Sequence, residues 1–162
     1  MKTPLYLAIL AMLVFGNFCV ADSEFVPLKE GDTRVSESQN DHGGITLNRI
    51  WKIDADTGCI ERIVMNADKT VRGRVITTFR SGKPIMSLAY KGIAYPWFTE
   101  HWTWLDERGH TIERRSFDGE LINQIIFPSE ENGVVRSLDA EGKEMSDEHY
   151  KALSDEVADI LF

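Results

Sequence analysis

The fold is decided by the stretch from Val71 to Arg80, which reads VRGRVITTFR. Three apolar positions alternate there with three arginines: Val71, Val75 and Phe79 against Arg72, Arg74 and Arg80. Alternation with a period of two is typical of an antiparallel strand that turns one face to a core and the other to solvent. The segment Ile45–Ile53 repeats the pattern, and Leu121–Phe127 (LINQIIF), apolar on both faces, is the best candidate for a central strand.

Short β-rich runs continue along the chain, separated by turns rich in Asp, Asn and Gly. The dipeptide Asp118–Gly119 is the strongest signal for a two-residue hairpin, and Lys91–Thr99, with Gly92 and Pro96, is predicted to be a loop. We predict about eight strands, at 45–53, 60–66, 71–80, 84–90, 100–105, 111–117, 120–127 and 133–138. The predicted fold class is mainly β: an antiparallel meander, as a curved sheet or a partial barrel, with one C-terminal α-helix.

That helix is predicted over residues 146–161. Ser146 can cap its N-terminus, and Asp147 and Glu148 suit the positive end of its dipole. Five apolar residues recur at spacings of three and four: Tyr150, Leu153, Val157, Ile160 and Leu161. One apolar stripe indicates a helix that covers the sheet; the alternative is a helix that binds a partner.

The N-terminal end predicts export. An apolar run of 11 residues, Leu5–Phe15, follows Lys2 and precedes a small residue at Ala21, as in a cleavable signal peptide of residues 1–21. No segment is long and apolar enough to predict a membrane span after cleavage. Residues 22–44 are predicted to be a flexible N-terminal arm, because they contain few aliphatic residues. Residues 45–162 are predicted to form a single β-rich domain.

The charge balance narrows the class of partner. Lys2 is the only charged residue in 1–21, so 17 of the 18 basic and all 26 acidic residues remain after cleavage, a net charge of −9. This disfavours nucleic acid, which needs basic patches against phosphate, and suits a basic protein partner. It also agrees with a role in solubility alone. The oligomeric state stays open.

Cleavage would leave Cys59 as the only cysteine, so no internal disulfide is expected. A lone thiol is either buried or forms an intermolecular bond, and Cys59, at a predicted strand start, favours burial.

Four stretches combine an aspartate, a glycine and a following strand; they begin at Asp54, Asp106, Asp118 and Asp139. The third has an aromatic residue, Phe117, before the aspartate. Together, over roughly residues 51–145, they resemble the degenerate hairpin repeats of bacterial YD-repeat and MORN-variant proteins. Some MORN-variant proteins are antitoxin-like, so the resemblance implies an inhibitor role.

The most unusual composition lies in Tyr95–Leu105, YPWFTEHWTWL. The candidate binding residues are its aromatic side chains: Tyr95, Trp97, Phe98, Trp102 and Trp104. Aromatic residues on a loop beside a solvated sheet face suit protein or sugar recognition. The alternative is that they fill the core of a small domain.

Catalytic and metal motifs are weak. His101 and His110 could face each other across a hairpin, which is the only metal geometry the sequence allows, and no HExxH or CxxC spacing is present. No GxSxG motif marks a nucleophile, and no cofactor is expected. An enzymatic site, if one exists, is predicted near Glu100, His101 and His110.

Five arginines form a further cluster in the predicted sheet: Arg72, Arg74, Arg80, Arg114 and Arg115. The first three are predicted to share one strand face. They either pair with Glu61, Glu113 or Glu120, or form a local anion site.

Two functions follow from these observations. The first is an exported, non-enzymatic binding or inhibitor module of the periplasm or the cell exterior, such as an immunity-type protein. The alternative is a small secreted hydrolase or ligand-binding protein with a site near Glu100, His101 and His110.

Overall fold

The computed structural model describes residues 31–105, 109–128 and 135–161. The described strands are β1 (Thr33–Gln39), β2 (Ile45–Lys52), β3 (Thr57–Met65), β4 (Val71–Arg80), β5 (Lys83–Lys91), β6 (Tyr95–Trp104), β7 (His110–Arg115), β8 (Leu121–Phe127) and β9 (Arg136–Asp139), followed by helix α1 (Asp147–Leu161). The predicted signal peptide, residues 22–30 of the predicted arm, and most of two predicted turns, at 106–108 and 129–134, lie outside the described residues.

Each strand pairs antiparallel with the next strand along the chain, in the order β1 to β9. The first and last described strands are the two edges, so the sheet is open. The predicted antiparallel meander with one C-terminal helix is confirmed.

Four hairpin turns share one backbone hydrogen-bond pattern. The N–H of the first residue donates to the carbonyl oxygen of the fifth, and the carbonyl oxygen of the first accepts from the N–H of the fourth. They begin at Asn40, Asn66, Ser116 and Asp139. The fourth residue of each has a positive φ of 69 to 91°, as in a type I turn closed by a left-handed residue. The predicted two-residue turn at Asp118–Gly119 is therefore wrong, because this wider turn encloses it. The two-residue turn of the sheet is Ser81–Gly82, which joins the paired residues Arg80 and Lys83.

The predicted N-terminal arm also differs from the structure. Thr33–Gln39 forms β1 and pairs along its length with β2. Most of its side chains are exposed, so the strand forms through backbone pairing rather than through the apolar pattern on which the sequence prediction relied.

The predicted loop Lys91–Thr99 is replaced by a shorter turn, because β6 already begins at Tyr95. Its register against β5 shifts between Ala89 and Tyr90: Ala89 pairs with Phe98 and Tyr90 pairs with Pro96, so Trp97 is an extra, unpaired residue of β6. A β-bulge of this kind redirects a side chain without ending the strand. Trp97 and Phe98 thereby pack together, with ring centroids 4.8 Å apart.

The helix lies on one face of the sheet, here called the covered face. Its buried residues Val157 and Leu161 pack against Ala89 and Phe98, and Val75, Trp97 and Ile160 surround this core. Paired residues of an antiparallel ladder project to the same face, and successive residues alternate. The register therefore assigns each strand residue either to the covered face or to the opposite one, here called the open face.

Both ends of α1 are anchored. Ser146 Oγ accepts a hydrogen bond from the backbone N–H of His149 at 3.3 Å, so the predicted cap is confirmed. At the other end, Arg72 Nη2 donates to the carbonyl oxygen of Asp159 at 2.8 Å and to its carboxylate at 2.7 Å. Arg72 does so because a bulge opposite Val64 and Met65 turns it toward the helix. The prediction that Arg72 shares a face with Arg74 and Arg80 is therefore wrong.

Candidate interaction surface and buried polar cluster

The five predicted binding aromatics are distributed between the core and the surface. Phe98 and Trp102 are buried, with 3% and 7% of their surface exposed, and Tyr95 is 71% exposed. Trp97 and Trp104 are half-buried. Lys91 Nζ lies 4.4 Å from the centroid of the Trp97 ring and also bonds Glu156 of α1. Of the predicted set, Tyr95 and the outer edge of Trp97 therefore remain accessible on the helix side.

Trp104 belongs to a row of stacked rings on the covered face. His110 lies between Trp104 and Phe127, with centroid distances of 4.5 Å on both sides. The indole N–H of Trp104 donates to the carbonyl oxygen of Pro84 at 2.8 Å, and Lys83 Nζ lies 5.1 Å from the indole centroid. Burial lowers the pKa of His110 below its ordinary value of 6.5, so the neutral imidazole is favoured between the two rings.

The predicted site near Glu100, His101 and His110 does not converge. Glu100 and His110 project to the covered face, whereas His101, paired with Glu113, projects to the open face. The two histidines therefore cannot bind one metal ion from opposite sides of the sheet. Within residues 31–105, 109–128 and 135–161, no three His, Cys, Asp or Glu side chains come together in a way that could hold a metal ion.

A polar cluster is buried under the N-terminal part of α1. Arg114 donates from Nη2 to Glu100 Oε1 at 2.6 Å, and both side chains are largely buried. The guanidinium carbon of Arg114 lies 4.5 Å from the centroid of the Phe98 ring. Burial raises the pKa of the Tyr150 phenol, and the nearby Arg114 charge opposes that shift. A charged pair enclosed by aromatic rings costs desolvation energy that the ion pair only partly offsets.

Two buried polar atoms beside this cluster have no hydrogen-bond partner among the described residues. They are Trp102 Nε1 and Asn123 Oδ1, and the Asn123 side chain is fully buried. An unpaired buried donor or acceptor costs about 1–3 kcal/mol. The cluster is therefore a place where the sheet does not satisfy its own polar groups.

The predicted arginine cluster is mostly ion-paired. Arg74 bonds Glu61 at 2.6 Å and Arg115 bonds Glu113 at 2.8 Å, as the sequence predicts. The partners of Arg72 and Arg114, which are Asp159 and Glu100, were not anticipated. Arg80 is exposed, and its charge contributes to the lowered pKa of Asp54, after the backbone N–H groups of Asp56 and Thr57 that bond that carboxylate.

The open face carries an apolar surface across β2 to β5, here called the open-face patch. It consists of Leu47, Trp51, Ile63, Ile76, Met86 and Leu88. All six side chains are half-buried by their neighbours within the sheet. No described helix or strand packs on this face, since α1 lies on the other side. Several large apolar side chains on one sheet face are typical of an interaction site.

The patch surrounds an ionic group. Glu61, whose side chain is 5% exposed, accepts from Arg74 Nε at 2.6 Å and lies 3.2 Å from Arg49 Nη1. The side chain of Arg49 is 49% exposed, and the guanidinium of Arg74 lies 5.3 Å from the ring centroid of Tyr90. Two arginines share one carboxylate, so the group has one excess positive charge.

Cys59 lies in the same face and is a buried free thiol, so the predicted burial is confirmed. Its Sγ lies 3.5 Å from Thr78 Oγ1.

None of the helices among the described residues has the length and apolar character required to cross a membrane.

Sequence alternation does not reveal the open-face patch, because it predicts that the apolar face of β2 packs in the core. Leu47 and Trp51 project away from the helix, whereas Val75 of β4 projects toward it. Two dipeptides, Val75–Ile76 and Leu88–Ala89, do indicate apolar residues on both faces of the sheet, because neighbouring residues of a strand lie on opposite faces.

No protein-family model matches the chain, and no curated protein or solved structure matches it significantly. The resemblance to YD-repeat and MORN-variant proteins therefore stays a prediction from the sequence.

Proposed function

We propose that this protein is an exported, non-enzymatic recognition module that binds a protein partner through the open-face patch. The observation that carries the proposal is the patch itself: six large apolar side chains on a sheet face that no described element covers. A solvated face of an antiparallel sheet ordinarily carries polar residues. The export part of the proposal rests on the sequence of residues 1–21.

The apolar character of the patch suits the centre of an interface. A standard interface removes about 800 Å² from each partner and has an apolar centre with a polar rim. The patch supplies apolar and aromatic groups on a regular sheet, which holds them rigidly. Preorganised groups of this kind lose little conformational entropy on binding.

The proposal is tested by capture of partners from envelope and secreted fractions with the purified exported protein. Leu88→Thr and Ile76→Thr place a β-branched residue, which favours strands, at these positions and remove apolar surface. We expect one dominant partner to be lost with either variant. Ile122→Thr is the matched control, because Ile122 is an exposed apolar residue outside the patch. Retention of the partner by both patch variants, with the native fold intact by circular dichroism, would contradict the proposal.

A second function, binding of a small polar ligand, is favoured by the unpaired atoms Trp102 Nε1 and Asn123 Oδ1. A ligand there would accept a hydrogen bond from the indole and donate one to the amide. The indole N–H resonance of Trp102 reports on the site: a shift on addition of defined sugars or amides supports ligand binding. An unchanged resonance, together with a single ordered water molecule as the occupant, contradicts it.

A further inference from the structure

The charges of the molecule are divided between its two sides. Helix α1 carries five carboxylates, at Asp147, Glu148, Asp155, Glu156 and Asp159, against one lysine. The open face differs, because its buried carboxylate Glu61 is shared by two arginines and its Glu113 is paired with Arg115. The chain is acidic as a whole, yet the described face that carries the patch is not.

The distance between the two sides decides which charges a partner meets. The carboxylates of α1 lie on the covered side of the sheet, in a layer about 10 Å away, and two of them, Glu156 and Asp159, are paired with Lys91 and Arg72. At physiological ionic strength, charges are screened over about 8 Å. A partner on the open face therefore lies close to Arg49, Arg74 and Arg115, and to the exposed Glu37 that pairs with Leu47, and interacts only weakly with the acidic helix.

From this charge division we infer that the partner is a protein whose docking surface has an apolar centre and an acidic rim, with a carboxylate that reaches Arg49 next to the patch. The inference rests on the function proposed above and replaces the basic partner that the net charge suggests. Arg49 is the residue best placed for this contact, because its side chain is half-exposed and Glu61 also has Arg74 as a partner. The charge-assisted bond between guanidinium and carboxylate is among the stronger polar contacts at interfaces.

The acidic helix of a second copy is another acidic surface on this molecule. Its exposed residues include Lys151, Ala152, Asp155 and Glu156, which offer no large apolar side chain to the patch. A different protein, with apolar groups at the centre of its acidic surface, matches both features of the open face.

The test places a photoreactive phenylalanine analogue at position 86, within the patch, of the full exported protein. Crosslinked partners are identified and mapped by mass spectrometry, and binding is then measured with purified partner. We expect Arg49→Glu to weaken binding by roughly tenfold or more, since opposed like charges are costly at an interface. Lys143→Glu makes the same charge change on a distant turn and should leave affinity within about twofold, as expected for a remote, screened charge.

The outcomes separate the two proposals. If Leu88→Thr abolishes binding of the partner and Arg49→Glu has no effect, the proposal of a recognition surface stands and the proposal of an acidic rim is overturned. A crosslink that maps to a basic surface, to nucleic acid or to a second copy of this chain also overturns the acidic rim. Absence of any crosslink from position 86 overturns the recognition surface itself. Arg49→Met is the second variant if Arg49→Glu does not fold, and it should weaken binding less than the charge reversal does.

Discussion

Gly73 is the position where the sheet and α1 approach most closely, and Gly73→Ala tests how the helix is held. A Cβ atom at this position would lie 2.6 Å from the carbonyl oxygen and the Cγ2 of Ile160 and 2.8 Å from Leu161 Cδ2. The backbone carbonyl cannot rotate away, so the last turn of α1 must move. This displacement would expose the buried side chain of Leu161 and part of Ile160, which lowers the free energy of unfolding by about 2–4 kcal/mol. Replacing a strand glycine with alanine by itself raises the free energy of unfolding by about 0.5–1 kcal/mol, because alanine loses less backbone entropy on folding.

We therefore expect Gly73→Ala to lower the free energy of unfolding by about 2–3 kcal/mol, or the Tm by roughly 5–10 °C. Urea denaturation followed by tryptophan fluorescence measures the change. Gly58→Ala is the matched control, because its Cβ would meet only the carbonyl oxygen of Trp51 at 3.3 Å. Leu161→Ala should cost about 2–4 kcal/mol alone and much less in the Gly73→Ala background. Unchanged stability of Gly73→Ala, or additive effects of the two substitutions, would refute this account of helix docking.

Three further predictions concern charged and titratable groups. Glu100→Leu alone should lower the free energy of unfolding by about 3–5 kcal/mol, because it leaves Arg114 buried without a partner. The double variant Glu100→Leu/Arg114→Met should recover most of that stability. Urea denaturation of the single and double variants measures both effects. Arg72→Ala should cost roughly 1 kcal/mol, because its bonds to Asp159 are partly exposed, and should speed hydrogen exchange in the last turn of α1. The lowered pKa of His110 means that the unfolded chain binds the proton more readily, so stability should fall as pH drops below about 6.5 and level off below the folded pKa; His110→Phe should reduce this slope, and an unchanged slope would contradict the assignment.

Much of the architecture could be predicted from local sequence. Period-two alternation in Val71–Arg80 predicts β4 at the bounds that the structure has. The helical stripe and Ser146 predict α1 and its cap to within one residue. These features are determined by neighbouring residues, so local rules suffice for them.

The remaining features depend on distant parts of the chain. The strand Thr33–Gln39 has no apolar pattern and forms because β2 offers it a backbone edge. The bulges at Arg72 and Trp97 exist only relative to a partner strand, so a single strand pattern cannot predict which face those side chains occupy.

The candidate site was only partly predictable for the same reason. Composition identifies the aromatic stretch Tyr95–Leu105, but the burial of Phe98 depends on the position of the helix, whose Val157 and Leu161 pack in the same core. The open-face patch requires the assignment of six residues on four strands to one face, and that assignment depends on the register of the whole sheet.

The central claim is that the partner contacts the sheet face opposite α1. Carbene footprinting of the protein, alone and in complex with its captured partner, tests it most directly because it labels exposed side chains of every type. We predict protection of Leu47, Trp51, Met86 and Leu88 in the complex, with unchanged labelling of Tyr95 and the outer face of α1. Protection confined to Tyr95 and Trp97, or to α1, with the open face still labelled, would contradict the account.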